Sequence, residues 1–377
     1  MRHQPNPTAP RRIVLEARIL PILVFALLPA ATACHRCPVV PRTAAVNPDG
    51  NGLLEPNVDA AFEPSWRYFQ QASNTGCSLS NHCPPSATVD GNLTNFQGPV
   101  GSLTYDIVDA SAGYGTLALG ATQSCAATGD CYGLKITMWG PRPAAHWDAT
   151  VQETTEGGST PASDWLTPTG LTALSPDACP VLYGSKTWTL HVGKSFTDVA
   201  SDGFYPSIEN IFHHGITAGC GEGLYCPGSS IRRDQMAVFL LKAMMGADYV
   251  PPPCIGEFSD VACPSAFADW VEDINNRGIV ADCGGGDFCP GKPVARRDMA
   301  IWLLKAHDGI DYVPPAATGL FGDVPIGDAD APWVEELYHR QITAGCNASP
   351  LMYCPDHINT RAQMAVFFVK TWGLRLY

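Results

Sequence analysis

Three arginines occupy the same place in a stretch of sequence that occurs three times. Each follows a motif of an aromatic residue, cysteine and proline, and each precedes a methionine by three residues. A planar guanidinium can bind a carboxylate or a phosphate through two parallel hydrogen bonds. The repeated residue type therefore indicates anion recognition by Arg233, Arg296 and Arg361.

Each arginine is predicted to lie in the first turn of an amphipathic helix. The apolar residues that follow have the spacing i, i+3, i+4, i+7, which is typical of one buried helical face. In the first copy they are Met236, Phe239, Leu240 and Ala243. A cation is unfavourable at a helix N-terminus, so this placement needs a reason. Two remain open: an anionic ligand shared with the free backbone N–H groups, or an ion pair with a neighbouring copy.

The repeat extends well beyond the arginine stretch. The arginines are 63 and 65 residues apart, and a regular period indicates a repeat architecture. Each copy opens with Phe-x-Asp-Val and continues into a first helix that carries glutamate at its third position. The opening aspartates are Asp198, Asp260 and Asp323, and the first helices begin at Ser207, Trp270 and Trp333.

These motifs resemble the S-layer homology family. The resemblance covers about residues 195–374 and is clearest at Asn359-Thr-Arg-Ala-Gln-Met364. It implies an all-α pseudo-threefold bundle of three repeats, at 195–248, 257–309 and 320–374, with ligand clefts between neighbours. It also implies non-covalent binding of a cell-wall or envelope polysaccharide, often an acidic one.

The resemblance assigns ligand-binding roles to three sets of residues. The motif arginines would bind the acidic group of the glycan, and Asp198, Asp260 and Asp323 would accept hydrogen bonds from hydroxyls or loop N–H groups. Trp270 and Trp333 would pack against a sugar ring or fill the core. The chain departs from the family in three places. Ser207 replaces the tryptophan of the first copy, and Gln235, Asp298 and Gln363 replace the family's glutamate after the motif arginine. The cysteine pairs are not a general feature of the family.

Most of the fifteen cysteines stand in close pairs. In an exported chain this spacing predicts short-loop disulfides, whereas the spacing and paired histidines of a zinc finger are missing. The predicted pairs are Cys77 with Cys83, Cys125 with Cys131, Cys220 with Cys226, Cys254 with Cys263, Cys283 with Cys289 and Cys346 with Cys354. Pairing of Cys37 with Cys179 stays open.

Residues 1–33 predict an export signal. Basic residues precede an apolar run, Ile19 to Leu28, that is too short to cross a bilayer, and Ala31-Thr32-Ala33 offers a cleavage site. The mature chain is therefore expected to have no transmembrane helix. Cys34 follows at once, which leaves a lipoprotein open as an alternative.

The charge of the chain limits its partners. The formal charge is −13, and removal of the net +3 of the first 33 residues makes it −16. An acidic surface of this kind argues against nucleic acid or anionic lipid as a partner.

Residues 38–191 predict a β-sandwich that resembles bacterial immunoglobulin-like accessory modules. Short runs of β-forming residues alternate with glycine, proline and serine, as in sandwich folds. The predicted strands are Trp66–Ala72, Ser102–Val108, Gly115–Leu119, Gly133–Trp139, His146–Glu153 and Thr187–Val192.

A cation loop is one interpretation of the segment before these strands. Asn47, Asp49, Asn51 and Glu55 have the alternating oxygen spacing of a calcium loop. The alternative is an Asx-rich turn, because the twelfth position holds Val58 and not an acid. No other cofactor is predicted.

The search for catalytic motifs is negative, so the chain is not predicted to be an enzyme. Neither a nucleophile elbow, a zinc-protease helix, a phosphate loop nor a dinucleotide fingerprint occurs. His146 and Asp148 are interpreted as structural, and His213 as a cation suited to a helix C-terminus.

The predicted fold class is thus an all-β sandwich followed by an all-α bundle. The predicted function is that of an exported, non-catalytic surface protein that binds envelope polysaccharide and displays the sandwich. The alternative is an assembly module of a surface layer, with self-association through the repeats and arginines in ion pairs.

Overall fold

Antiparallel β-sheet makes up most of the regular structure of this chain. The structure, a computed structural model, describes residues 37–47, 52–58, 60–69, 86–142, 147–156, 181–182 and 184–376. The predicted export signal, Cys34 and Cys179 lie outside these residues.

The first sheet has six strands in the order β4-β7-β2-β1-β9, with β6 also paired to β2. Every pairing is antiparallel except that of β1 with β9. All even-numbered residues of β2 are buried, as expected for a strand with one face on a core. The strands are β1 (Cys37–Asn47), β2 (Ala60–Tyr68), β4 (Leu103–Asp109), β6 (Thr122–Ser124), β7 (Tyr132–Met138) and β9 (Val181–Leu182).

The second sheet has four antiparallel strands in the order β10-β8-β3-β5. Buried and solvent-facing residues alternate along β8, so one face of this sheet also packs on the core. Both sheets contribute side chains to one apolar cluster. The strands are β3 (Ser86–Gln97), β5 (Ser111–Ala118), β8 (Asp148–Glu156) and β10 (Ser185–His191).

A single carboxylate lies fully buried between the two sheets. Glu153 on β8 accepts hydrogen bonds from four side chains, two on each sheet, and so joins the sheets through a polar contact. The donors are Trp66 Nε1 (3.0 Å), Trp188 Nε1 (2.7 Å), the Tyr132 hydroxyl (2.9 Å) and the Tyr114 hydroxyl. Burial, and then the nearby Glu153, raises the pKa of both tyrosines. Such donors compensate for removing a carboxylate from water.

The described residues form six α-helices, two in each sequence copy. The second helix of each copy begins at the motif arginine, and a glycine ends it at Gly246, Gly309 and Gly373. Of the described helices, none has the length and apolar character needed to cross a bilayer. The helices are α1 (Tyr205–His213), α2 (Arg233–Met245), α3 (Ala268–Asn276), α4 (Arg296–Asp308), α5 (Ala331–His339) and α6 (Arg361–Trp372).

The predicted fold class is wrong. The described chain is mainly β-sheet with six short helices, and its C-terminal part is not an all-α bundle of three repeats. Long irregular segments rich in glycine and proline separate the helices, because proline breaks a helix and glycine destabilises one. These segments also form β contacts. The β contacts are the hairpin of β11 (Asn347–Ala348) with β12 (Leu351–Met352) and the isolated bridges Ser230–Thr360, Arg232–Pro293 and Ala295–Ile358.

Five of the six predicted disulfides are present in the described residues. They link Cys125 with Cys131, Cys220 with Cys226, Cys254 with Cys263, Cys283 with Cys289 and Cys346 with Cys354. The sixth pair, Cys77 with Cys83, lies outside those residues. Several disulfides in one chain are consistent with an exported protein.

Candidate functional site

The three motif arginines are buried, with exposed fractions of 6, 8 and 2 %. Each extends from its own copy to the loop of another copy that contains the aromatic-cysteine-proline motif, which we call the aromatic loop. There Nε donates to the carbonyl oxygen of the aromatic residue. These pairs are Arg233 with Phe288 (2.8 Å), Arg296 with Tyr353 (2.8 Å) and Arg361 with Tyr225 (2.7 Å). The contacts run from copy one to two, from two to three, and from three back to one, so they form a closed ring.

Each guanidinium also stacks on the ring of the aromatic residue that it hydrogen-bonds. The Cζ atoms lie 4.6 to 4.8 Å from these ring centroids, within cation–π range. Burial lowers the pKa of all three guanidiniums, which still stay charged. Their partners are carbonyls, aromatic faces and, for Arg296, the hydroxyl of Thr343 at 3.3 Å, and the described ion pairs involve none of the three. Nη2 of Arg361 has no hydrogen-bond partner among the described residues.

The three opening aspartates bind the backbone N–H groups of the same loops. Each carboxylate accepts two backbone N–H groups, one from the aromatic residue and one from the cysteine after it, at 2.6 to 2.8 Å. The sets are Asp198 with Tyr225 and Cys226, Asp260 with Phe288 and Cys289, and Asp323 with Tyr353 and Cys354. The structure thus brings the predicted arginines and aspartates together at three loops. Their contact with a glycan stays a prediction.

The backbone of these loops explains why the aspartates are needed. Cys226, Cys289 and Cys354 have φ values of 58, 57 and 59°, in the left-handed region that side chains disfavour. This turn directs two consecutive N–H groups at one carboxylate. The two hydrogen bonds and the disulfide of each cysteine compensate for the unfavourable conformation.

Trp270 belongs to a half-buried polar and aromatic cluster in copy two. Its ring packs edge-on against Tyr249, with centroids 6.2 Å apart. The Tyr249 hydroxyl donates to Asp273 (2.8 Å) and accepts from Arg277 (2.8 Å), and Arg277 Nε donates to Asp273 (3.0 Å). We call these four residues the copy-two cluster.

Trp333 belongs to the equivalent cluster in copy three. Its ring packs edge-on against Tyr312 at 6.1 Å, and the Tyr312 hydroxyl donates to Glu336 at 2.8 Å. Arg340 Nε donates to Glu336 (2.7 Å), and its Cζ lies 5.0 Å from the centre of the Tyr312 ring. These four residues are the copy-three cluster.

Copy one has no such cluster, because its sequence supplies other residues. Ser207, Asn210 and His214 stand where the other copies have tryptophan, an acid and arginine. Two clusters therefore combine an aromatic face, a carboxylate and a guanidinium. That combination can pack against a sugar ring and hydrogen-bond its hydroxyls.

Sequence reasoning assigned no role to a third repeated set, the glutamates of the first helices. Glu272 accepts the N–H groups of Ile255, Gly256 and Glu257 at 2.6 to 2.9 Å. The equivalent Glu335 accepts three N–H groups and a hydroxyl from residues 318–320, and Glu209 accepts the N–H and hydroxyl of Ser195. Each glutamate thus fixes the segment that enters its copy. Their recurrence at one helical position was the available signal.

The fall in the free energy of unfolding at acidic pH should depend on Glu335. Burial of this carboxyl opposes ionisation, but N–H groups led by those of Leu320 and Thr318 outweigh it and hold its pKa below the ordinary 4.5. Stability gained this way is complete above 4.5 and is lost as pH falls through the folded-state pKa. We expect Glu335→Gln to lower the free energy of unfolding at pH 7 by about 1–3 kcal/mol. Urea titrations from pH 7 to pH 3 should show this difference shrinking.

Glu222→Gln is the matched control for that series, because Glu222 is exposed. It should leave the free energy of unfolding within about 0.5 kcal/mol of the parent at every pH. A Glu335→Gln protein whose deficit stays constant down to pH 3 would contradict the assignment.

The predicted calcium loop is only partly described. Asp49 and Asn51 lie outside the described residues, and of Asn47 only the backbone is described, at the end of β1. Glu55 is half-buried. Calcium binding here stays a prediction.

The chain matches no protein-family model, and no curated protein matches it.

Proposed function

We propose that this chain is an exported, non-catalytic surface protein whose three C-terminal copies bind a cell-wall or envelope polysaccharide and display the β-rich part. The observation that carries the proposal is the duplicated cluster of tryptophan, tyrosine, arginine and acid. The resemblance of the repeated motifs to the S-layer homology family supports it from the sequence side.

The side chains of the two clusters suit a glycan chemically. The arginine side chains are 31 and 28 % exposed, so they can contact a ligand while their Nε atoms stay bonded to the acids. The tyrosine and tryptophan rings provide apolar faces for the C–H groups of a sugar. The exposed N–H groups of each guanidinium can donate to hydroxyl or acidic groups of a glycan, while Arg277 stays paired with Asp273, and Arg340 with Glu336 and Asp308. The aromatic loops held by the motif arginines keep the copies in position for both clusters to act together.

Sedimentation with purified cell-wall sacculi tests the proposal. The double variant Arg277→Gln, Arg340→Gln should weaken binding by about tenfold or more, because a charge-assisted hydrogen bond contributes roughly 1.5–3 kcal/mol. Arg297→Gln is the matched control, since Arg297 is equally exposed at 31 % and lies outside both clusters. Sacculi stripped of their secondary polysaccharide should not bind the parent protein.

Two results would count against glycan binding through these clusters. One is a parent protein that does not sediment with intact sacculi from any of a panel of envelope types. The other is a double variant that melts like the parent and still binds with unchanged affinity.

Self-association is the second candidate function, and a specific observation favours it. Val250, Ile255 and Val313 are 79, 82 and 82 % exposed, and two of them directly follow the cluster tyrosines. Exposed apolar side chains beside a polar cluster are typical of protein interfaces. Concentration-dependent association in sedimentation velocity, abolished by Val250→Asp with Val313→Asp, would favour an assembly module over a glycan-binding one.

A further inference from the structure

We propose that Asp148, His191 and His213 form a zinc site that joins the two sheets to the first helix of the repeated region. The three residues come from β8, β10 and α1, and each offers one ligand atom. These three atoms all lie within 4.8 Å of one another.

The geometry of the three side chains is close to that of a metal centre. Asp148 Oδ1 lies 2.9 Å from His191 Nδ1 and 3.1 Å from His213 Nδ1, and the two imidazole rings are 4.7 Å apart. Tetrahedral zinc with bonds of about 2.0–2.1 Å separates its ligand atoms by about 3.3 Å. Each of the two acid–histidine distances would have to lengthen by only a few tenths of an ångström to match that separation. Zinc takes four ligands in such sites, and we assign three of them.

The groups that face the second ring nitrogens of the two histidines are typical of a zinc site. A ligating histidine directs its second ring nitrogen at a carboxylate or a backbone carbonyl, which fixes the ring orientation. Nε2 of His213 lies 3.5 Å from Glu209 Oε2, and Nε2 of His191 lies 3.1 Å from the carbonyl oxygen of Leu376. Glu209 is itself oriented by the N–H and hydroxyl of Ser195. Both rings thus have Nδ1 near Asp148, and the hydrogen bond to Leu376 fixes the second nitrogen of His191, whereas Glu209 lies near that of His213.

The local charge and the ligand types favour zinc over calcium and magnesium. Two carboxylates, those of Asp148 and Glu209, lie near the site against one guanidinium, that of Arg142. Two imidazoles with one carboxylate suit zinc, whereas calcium and magnesium prefer all-oxygen sites. Three other groups of cysteine and acid side chains in the described residues are close enough together to hold a metal ion. Each contains two cysteines that form a disulfide, and disulfide sulfurs are not the thiolates that bind zinc.

A metal in this position would act as a structural clamp. The ligands belong to the β-rich part and to the copy that lacks an aromatic cluster, so the ion would link the displayed part to the binding part. Metal binding contributes to folding stability when the site exists only in the folded chain.

Metal content of the tag-free, disulfide-intact protein tests the site. After dialysis against a chelator, incubation with zinc and gel filtration, the parent should retain one zinc per chain. His191→Ala and Asp148→Asn should retain none, and Glu209→Gln should bind about 10–100-fold more weakly. His357→Ala, at an exposed histidine remote from the site in sequence, should retain one. Saturating zinc should raise the melting temperature of the parent by about 5 °C or more and leave that of His191→Ala unchanged.

Zinc X-ray absorption of the parent makes the test independent of how the variants fold. The expected spectrum has two imidazole nitrogens and light oxygen or nitrogen neighbours at about 2.0 Å. Sulfur ligands, an all-oxygen shell, or retention of zinc by His191→Ala would overturn the proposal. So would a parent protein that retains no zinc, which would leave the three residues as an ion-pair cluster only.

Discussion

Replacement of Glu153 by alanine is expected to destabilise the protein more than any other single change to the β-rich part. Four buried donors, two indole N–H groups and two phenol hydroxyls, would lose their acceptor at once. Each unsatisfied buried donor costs about 1–3 kcal/mol, so the expected loss is about 4 kcal/mol or more even if some donors find water. The free energy of unfolding from denaturant titration is the measurement.

Glu153→Gln refines the same test, because the amide keeps one acceptor oxygen. Its NH₂ group must face one of the four donors, so the expected loss is intermediate, about 2–3 kcal/mol. Glu156→Gln on the exposed face of the same strand is the matched control and should change stability by less than about 0.5 kcal/mol. A Glu153→Ala protein as stable as this control would show that the four contacts contribute little.

Arg296→Ala should produce the largest loss of stability in the repeated region, about 3 kcal/mol. The change removes the Nε bond to the Tyr353 carbonyl and the stacking of the guanidinium between two aromatic rings. It also leaves a cavity where the side chain was. Arg296→Lys keeps the charge but not the planar guanidinium, so it should recover less than half of the lost free energy of unfolding. Thermal melting with denaturant titration gives the values.

The neighbouring arginine provides the control on the same helix. Arg297 is 31 % exposed and pairs with Asp330 and Asp356, so Arg297→Ala should cost about 1 kcal/mol or less. Equal losses at the two positions would contradict a packing role for Arg296. Sedimentation of both variants with sacculi, at temperatures where both are folded, also tests the predicted contact of the motif arginines with glycan.

Strand periodicity in the sequence predicted part of the β-rich region. Six predicted strands overlap observed ones, but β1, β3, β6 and β9 were not predicted. β3 contains Gly91 and the polar residues Asp90, Asn92 and Asn95, which have poor strand propensity. Pairing with two neighbours, β5 and β8, outweighs that propensity. Local pattern cannot report such long-range pairing.

The helices were predictable from their apolar spacing, but the connections between them were not. The all-α bundle was what the resemblance to the S-layer homology family implied for the repeated region. The segments between them form bridges across copies, such as that of Arg232 with Pro293, and these depend on neighbours far along the chain. Short bridges leave no periodicity to detect.

The candidate site, like the fold, was only partly predictable from the sequence. The threefold recurrence identified the arginines and aspartates as a set, but it did not reveal that both meet at one loop. The cluster of Asp148 with His191 and His213 had no sequence signal, because its members lie on three elements and have no motif spacing. Its acid was interpreted as structural and His213 as a favourable helix-end cation.

The closed ring of arginine contacts limits how the number of copies can change. In an open array each unit touches only its neighbours, so units can be added or lost at the ends. Here Arg361 in the third copy bonds the Tyr225 carbonyl in the first, and the Tyr225 hydroxyl donates back to the Arg361 carbonyl. Deleting any one copy would leave one aromatic loop without its arginine and one arginine without its loop. A chain with one copy fewer would have to associate with a second molecule to give both groups a partner.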